Sequence, residues 1–242
     1  MTAFTAALRF LTVLPWGVQR PEILGRSLIY FPAIGLLLGA GLAVADRGLH
    51  LLFPAPVVNA LLLLLSLGLT GGMHLDGLLD CCDALPGIRP PEERLRILQD
   101  PHVGAFGIIG GITVLLLKYG ALLSLTGART ASLILFPALG RWGMVYAVCR
   151  YPYHNRNGEG TGTVFELHQG LGSLLGATAI AMTAALFLGG LRGIVAFGIT
   201  WLVTILVARY TLKKLPGLTG DVYGAINELS EAFTLCALAS SI

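Results

Sequence analysis

Long apolar runs separated by short charged segments make up most of this chain. The runs cover residues 28–46, 55–73, 104–123, 131–149, 171–190, 193–210 and 224–242. Each is close to the roughly 20 residues that an α-helix needs to cross a bilayer. The pattern predicts an all-α, polytopic membrane bundle of about seven transmembrane segments, within a range of six to eight. It leaves open whether the first run, with Pro32, and the last, with Glu228 and Glu231, cross fully.

The N-terminal segment MTAFTAALRFLTVLPW is shorter than the other apolar stretches and is interrupted by Arg9. No basic stretch precedes its apolar part, as a signal peptide would require. The segment therefore favours an amphipathic helix that lies in the membrane interface. No repeat or linker divides the chain, so residues 1–242 are predicted to form a single membrane-embedded domain.

The composition agrees with a membrane protein, since 55% of the residues are hydrophobic and only 12% are charged. The net charge of +3 is too balanced for a nucleic-acid binder. If the runs cross in alternation, most Lys and Arg residues share a side with the N-terminus, which the positive-inside rule assigns to the cytoplasm. Lys118 falls on the opposite side, together with Asp46. Because nearly all acidic residues lie on the cytoplasmic side, we expect the chemistry there.

The strongest candidate site is the acidic motif that follows Gly71-Gly72. On a helix, Asp76, Asp80 and Asp83 fall within a stripe of about 60°, and no Lys or Arg three or four residues away can pair with them. Clustered carboxylates of this kind suit Mg²⁺, which uses a few carboxylates together with substrate phosphates and waters. The alternative is a solvated polar face at a helix end. His74, on the opposite side of that helix, is a candidate general base or the donor of a helix-end hydrogen bond.

A second acidic set lies near the C-terminus, where Asp221, Glu228 and Glu231 would share one side of a helix. Ionisable groups inside an apolar span are functional candidates by default. Thr219 and Gly220 precede Asp221, as suits a helix start that contacts phosphate or metal. We interpret the two acidic sets as one shared metal site; the alternative is an interfacial helix with its acids in water.

Basic residues supply candidate phosphate ligands. Arg141 lies inside an apolar run and is expected to face inward, towards phosphate or an acid. The Gly-rich loop of residues 150–162 contains Arg156, which could bind phosphate in bidentate fashion. Carboxylates for Mg²⁺ and arginines for phosphate together predict transfer of a phosphate-linked group from a nucleotide-activated donor.

Four motifs occur in the order GGMHLDGLLDCCDAL, LQDPHVGAFG, LGRW and GLTGDVYGAINELSE. In this respect the chain closely resembles the cobalamin synthase family, also called adenosylcobinamide-GDP ribazoletransferases, over almost its whole length. The resemblance implies an enzyme of the bacterial inner membrane with its active site facing the cytoplasm. It would transfer the adenosylcobinamide-phosphate group from adenosylcobinamide-GDP to the ribose 3′-hydroxyl of α-ribazole, or of its 5′-phosphate. Adenosylcobalamin or its 5′-phosphate and GMP would result, with Mg²⁺ as cofactor.

The resemblance also implies roles for individual residues. His74 and Asp83 would be catalytic. The metal ligands would be Asp76, Asp80, Asp83, Asp221 and Glu228. Substrate binding would involve Asp100, Gly104, Gly107, Arg141, Thr219, Gly220 and Asn227. Arg156, a phosphate ligand suggested by the Gly-rich loop itself, lies in a segment that matches the family pattern only loosely.

Two other functions remain open at this stage. A Mg²⁺-dependent phosphotransferase of the CDP-alcohol type also uses clustered aspartates, but its motif contains an Ala-Arg pair that this chain lacks. A cation or proton transporter would need acids near the bilayer midplane, commonly on broken helices. Membrane lipid is an expected partner, nucleic acid is not, and the sequence leaves open whether the protein forms a homo-oligomer.

Overall fold

The computed structural model describes residues 2–16, 21–125, 127–154 and 170–240, without the side chains of residues 21 and 22. Within these ranges the chain is helical and forms no β-sheet, which confirms the predicted all-α class. The helices are α1 (Ala3–Leu11), α2 (Pro21–Gly25), a 3₁₀ turn (Arg26–Tyr30), α3 (Phe31–Leu49), α4 (Ala55–Thr70), α5 (Met73–Ala84), α6 (Pro91–Ile97), α7 (Ala105–Ser124), α8 (Arg129–Arg150), α9 (Leu171–Leu212) and α10 (Gly220–Ala239).

Four helical segments among the described residues are long and apolar enough to cross a membrane. They are Ile23–Leu49, Ala105–Ser124, Arg129–Arg150 and Leu171–Leu212. Helices α4 and α5 meet at 93° and count as a fifth span if the bent pair is taken as one. The chain is therefore a polytopic membrane bundle, but the predicted count of seven crossings is not confirmed. Helix α10, with its acidic residues, is not among the helices that meet this test.

Helix α9 is broken at Gly190, where φ is 55° and ψ is −135°. A side chain at Gly193 would collide with the carbonyl of Ala185. In a straight helix, residues eight positions apart are separated by about 12 Å along the axis. The chain therefore folds back near Gly190, which explains why the sequence shows two apolar runs, 171–190 and 193–210, within this element.

Glycines let α3 pack closely against α8. A Cβ at Gly35 would lie 2.5 Å from Ala138 Cα, and one at Gly39 would lie 2.5 Å from Ile134 Cα. The four-residue glycine spacing in α3 therefore forms a packing surface. The similarly spaced pair in α9 differs, because Gly176 contacts Ile29 whereas Gly172 faces open space.

Helix α10 lies in the centre of the bundle and packs against α5, α7, α8 and α9. Most of its residues are buried, including Glu228 and Glu231, which are 4% and 2% exposed. The alternative of an interfacial helix with its acids in water is therefore wrong. The interior tolerates these carboxylates because basic side chains from α7 and α8 neutralise them.

Polar contacts fix the two ends of the bundle. At one end, Arg129 at the start of α8 donates to Asp46 of α3 at 2.8 Å and to the carbonyl of Leu122 in α7 at 2.8 Å. At the other end, Lys214 donates to the carbonyl of Leu85 at 2.8 Å. This second end also holds α6 and the start of α10, and we call it the acidic end because Asp76, Asp80 and Asp221 lie there.

Helix α1 is present as predicted, with Thr2 as its N-cap and one buried face that includes Ala7 and Leu11. The segment after it is tied to the end of α4, since Val13 N donates to the carbonyl of Leu69 at 2.9 Å. Its location in a membrane interface stays a prediction.

Candidate active site

The acidic end is shaped by the turn between α4 and α5. Gly71 and Gly72 have φ values of 63° and 71°, in the left-handed region that glycine adopts without steric cost. Gly72 N donates to the carbonyl of Leu67 at 2.9 Å, which ends α4. Helix α5 then runs at 93° to α4, so the acidic motif crosses the end of the bundle.

Three carboxylates from two helices converge at this end. Asp80 on α5 lies within electrostatic range of Asp76 on the same helix and of Asp221 on α10. The helices approach closely because Gly77 faces the backbone of α10, where a Cβ would lie 2.7 Å from the carbonyl oxygen of Asp221. Asp76 is exposed, whereas Asp80 and Asp221 are half-buried. We call Asp76, Asp80 and Asp221 the acidic cluster.

Asp83 has a structural contact that the sequence did not indicate. Its Oδ2 accepts from Gly104 N at 2.8 Å and its Oδ1 accepts from Gly107 N at 2.9 Å. The carboxylate therefore caps the N-terminus of α7, where it satisfies unpaired amides and faces the positive end of the helix dipole. Gly104 and Gly107 contact this carboxylate in the structure, and their predicted role in substrate binding stays a prediction.

The acidic cluster fits Mg²⁺ by its chemistry, because it offers only hard carboxylate oxygens. In the described ranges no group of three or more His, Cys, Asp or Glu side chains is arranged to hold a metal by itself. Mg²⁺ does not require such a cage when one or two carboxylates are joined by substrate phosphates and waters. Asp76, Asp80 and Asp221 meet that smaller requirement.

Glu228 and Glu231 belong to a different group. Lys118 Nζ on α7 lies 2.7 Å from Glu228 Oε2 and 2.6 Å from Glu231 Oε2, and Arg141 on α8 pairs with Glu231 Oε1. All four side chains are at most 5% exposed. We call these residues the buried quartet. It carries two positive and two negative charges, so it is balanced without a metal ion.

The quartet bears on three sequence-based expectations. Lys118 does not lie at the membrane surface opposite the active site; it is inside the bundle because two glutamates neutralise it. Arg141 faces inward as expected, with an acid as its partner. Glu228 is paired with Lys118 rather than placed with the aspartates as a shared metal ligand.

His74 is 2% exposed and lies on α5 next to the acidic cluster. Both of its ring nitrogens are buried without a hydrogen-bond partner among the described residues. The ring lines a cavity of about 200 Å³ whose wall also includes Asp76 and Asp221. The expected helix-end hydrogen bond from this side chain is therefore not formed within the described part of the chain.

The remaining candidates occupy varied positions. Asp100 is exposed, and hydrogen bonds from His102 hold the pKa of its carboxyl below the usual range. The Thr219 hydroxyl donates to Asp221 Oδ2 at 3.2 Å, and Gly220 lines the cavity. Asn227 is fully buried and donates to Glu231 Oε1 at 3.2 Å. The predicted phosphate ligand Arg156 lies outside the described residues.

Comparison with known proteins decides between the candidate functions. A family model described as cobalamin-5-phosphate synthase matches residues 3–239. The chain belongs to the cobalamin-5-phosphate synthase family. This assignment confirms the resemblance carried by the four sequence motifs and removes the grounds for the CDP-alcohol and transporter alternatives.

Relatives of similar length support the assignment. A protein of Roseiflexus sp. named adenosylcobinamide-GDP ribazoletransferase is 38% identical over 239 residues, which cover 97% of this chain and 88% of that protein. A protein of the same name from Synechococcus sp. is 39% identical over 243 residues, covering 96% and 93%. Another, from Ectopseudomonas mendocina, is 39% identical over the full length of both chains. No solved structure matches this chain significantly.

The sequence-based reasoning did not identify the structural roles of two residues in this member of the cobalamin-5-phosphate synthase family. Lys118 was identifiable in principle, because a lysine inside an apolar run requires a partner. Arg94 on α6 gave no comparable signal. Its guanidinium donates to the carbonyls of Ala84 and Gly87, each at 2.7 Å, and so holds the C-terminal end of α5.

Proposed function

We propose that this protein transfers the adenosylcobinamide-phosphate group from adenosylcobinamide-GDP to the ribose 3′-hydroxyl of α-ribazole or α-ribazole 5′-phosphate. The products are adenosylcobalamin, or its 5′-phosphate, and GMP. The observation that carries the proposal is the family match over residues 3–239. The convergence of Asp76, Asp80 and Asp221 beside a cavity supports it, because this chemistry needs neutralisation of a pyrophosphate.

In the proposed reaction the acceptor hydroxyl oxygen bonds to the phosphorus nearer the corrinoid. The bond between that phosphorus and the bridging oxygen breaks, and GMP leaves with the bridging oxygen. The hydroxyl proton passes to His74 or to a carboxylate at the same cavity. Asp76, Asp80 and Asp221 would hold Mg²⁺, which when bound would neutralise charge on the pyrophosphate.

The structure supports a division of labour among the acidic residues. Among the described contacts, no basic side chain pairs with Asp76, Asp80 or Asp221. These three carboxylates are therefore available to a cation. Glu228 is neutralised by Lys118, and Asp83 is bonded to the amides of α7. We therefore assign metal binding to the acidic cluster, and structural roles to Glu228 and to Asp83.

We also propose that the acidic end faces the cytoplasm of a bacterial inner membrane. The basic residues Arg89, Arg94, Arg96, Lys213 and Lys214 are at or beside this end, as the positive-inside rule favours. A soluble, nucleotide-activated corrinoid and a free nucleoside would reach the site from that side.

The test is GMP release by the purified full-length protein in liposomes supplied with adenosylcobinamide-GDP, α-ribazole and Mg²⁺. Equal amounts of GMP and cobalamin product, both lost with EDTA and restored by excess Mg²⁺, are expected. Absence of GMP from well-folded protein would contradict the proposed reaction. Undiminished release in EDTA would contradict the assignment of Mg²⁺.

A further inference from the structure

The cavity beside the acidic cluster has one strongly apolar wall. Phe10 of α1, Phe31 of α3, and Met144 and Val148 of α8 contribute to it. The rings of Phe10 and Phe31 stack at a centroid distance of 5.8 Å and an interplanar angle of 23°. Phe31 is buried and Phe10 is half-buried, so Phe10 provides the ring surface that another aromatic ring can contact.

The opposite wall is polar and acidic. It is formed by Asp76 on α5 and by Gly220 and Asp221 on α10. These two carboxylates belong to the acidic cluster assigned above to the metal. A molecule in the cavity would therefore contact the apolar wall at one end and approach the reacting groups at the other.

His74 adds a polar group that the fold does not use. Its ring lines the cavity, is 2% exposed, and carries two nitrogens without partners among the described residues. A buried polar group without a partner is unfavourable. Both nitrogens are covered in this conformation, so pairing with a hydroxyl or ring nitrogen of a bound molecule requires the ring to turn towards the cavity.

The size of the cavity and its apolar wall distinguish between the two substrates. About 200 Å³ is below the range of roughly 300–1,000 Å³ typical of pockets for drug-sized ligands. A corrinoid macrocycle is far larger than this cavity. The donor's pyrophosphate belongs with the metal at Asp76 and Asp221, and the apolar wall offers no hydrogen-bond partner to the polar edge of guanine. A bicyclic aromatic base fits both the volume and the stacked phenylalanines.

We infer that this cavity binds the aromatic base of the acceptor nucleoside, with the ribose directed towards Asp76 and Asp221. The inference rests on the proposed function for the identity of the acceptor. It assigns Phe31, Met144 and Val148 to recognition of the base. Helix α1 then has a binding role, because Phe10 forms part of the same wall.

Two variants of the full-length protein test this assignment. Val148→Phe places a ring in the cavity and should raise the KM for α-ribazole about tenfold or more, which corresponds to about 1.4 kcal/mol. Phe31→Leu removes the ring against which Phe10 stacks and should raise the KM for α-ribazole by several fold. The KM for adenosylcobinamide-GDP should change less than twofold in both. Phe136→Leu is the matched control, since Phe136 is equally buried but does not line this cavity.

Equilibrium binding of α-ribazole to protein in nanodiscs, with EDTA present, separates this inference from the proposed reaction. Val148→Phe should weaken that binding by the same factor as it raises the KM. Unchanged α-ribazole binding and KM in both variants would overturn the inference while leaving GMP release intact. A selective rise in the KM for adenosylcobinamide-GDP would also overturn it, by assigning the cavity to the donor. Binding of α-ribazole without any GMP release would contradict the proposed function and leave the cavity assignment standing.

Discussion

Asp80 and Asp83 lie three residues apart in one helical motif, yet the structure gives them different surroundings. Asp80 faces other carboxylates from two helices, an arrangement that is unfavourable until a cation or a proton neutralises it. Asp83 instead accepts two backbone hydrogen bonds at the start of α7. Two aspartates of one motif can therefore have different roles, one in the reaction and the other in helix packing.

This difference predicts opposite outcomes for two conservative substitutions. Asp80→Asn should lower kcat by at least about 100-fold without lowering the temperature of thermal unfolding, because the lost charge is needed by the reaction and is repelled by its neighbours. Asp83→Asn should lower the free energy of unfolding by about 1 kcal/mol, because the amide group can accept from only one of the two amides. Thermal unfolding in detergent and GMP release would be measured for both variants. A stable but inactive Asp83→Asn variant would assign Asp83 to the reaction itself.

At the scale of elements, α7 approaches α5 through a series of glycines. A Cβ at Gly104 would lie 2.5 Å from Asp83 Oδ1, one at Gly111 would lie 2.9 Å from Leu79 Cδ1, and one at Gly107 would collide with the Asp83 carboxylate. The cap on α7 is thus possible only because the helix surface beneath the carboxylate has no side chains.

Two alanine substitutions in α7 test this packing. Gly107→Ala should destabilise the protein by roughly 1–3 kcal/mol and reduce activity, since the new methyl group displaces Asp83. Gly120→Ala is the matched control in the same helix, where a Cβ would meet no atom within 4 Å. It should be neutral or stabilising by up to about 1 kcal/mol, because alanine favours helix. Equal losses in the two variants, measured by thermal unfolding, would contradict the close packing.

At the scale of the whole molecule, the buried quartet connects α7, α8 and α10 around a common centre. Removing one member of a buried ion pair is expected to cost roughly 3–5 kcal/mol, because the other charge is left uncompensated. Its four charges therefore hold the central helix in place and also keep Glu228 and Glu231 away from the solvent.

Lys118→Met should consequently be strongly destabilised, as measured by thermal unfolding and by the yield of monodisperse protein. Adding Glu228→Gln should recover part of the stability, because the amide leaves no unpaired charge beside Arg141 and Glu231. The cycle would be completed with Glu228→Gln alone. Strictly additive losses in the double variant would show that Lys118 and Glu228 do not interact.

The orientation of the bundle gives a further prediction. Arg96→Cys near the acidic end should react with a membrane-impermeant maleimide only after cells are opened, whereas Leu52→Cys at the opposite end should react in intact spheroplasts. Both positions are exposed. The unsubstituted protein controls for its four free cysteines. Labelling of Arg96→Cys from outside would reverse the proposed orientation.

The sequence by itself determined the all-helical class, the family and several of the long helices. Apolar length and glycine spacing are local properties, so α3, α7 and α8 could be predicted within a few residues, and the Gly35 and Gly39 packing surface could be recognised. The acidic motif on α5 was also visible, because a helical stripe depends only on residues within two turns.

Only the tertiary structure decided how the charged residues are shared between the site and the core. Lys118 and Glu231 are 113 positions apart, and Asp83 and Gly107 are 24 apart, so no local pattern reports their contacts. One helix carries Asp221, Glu228 and Glu231. Helix α5 faces Asp221, whereas α7 and α8 supply cations to Glu228 and Glu231. Which acids remain available to a metal depends on these long-range neutralising partners, and therefore on the packed bundle.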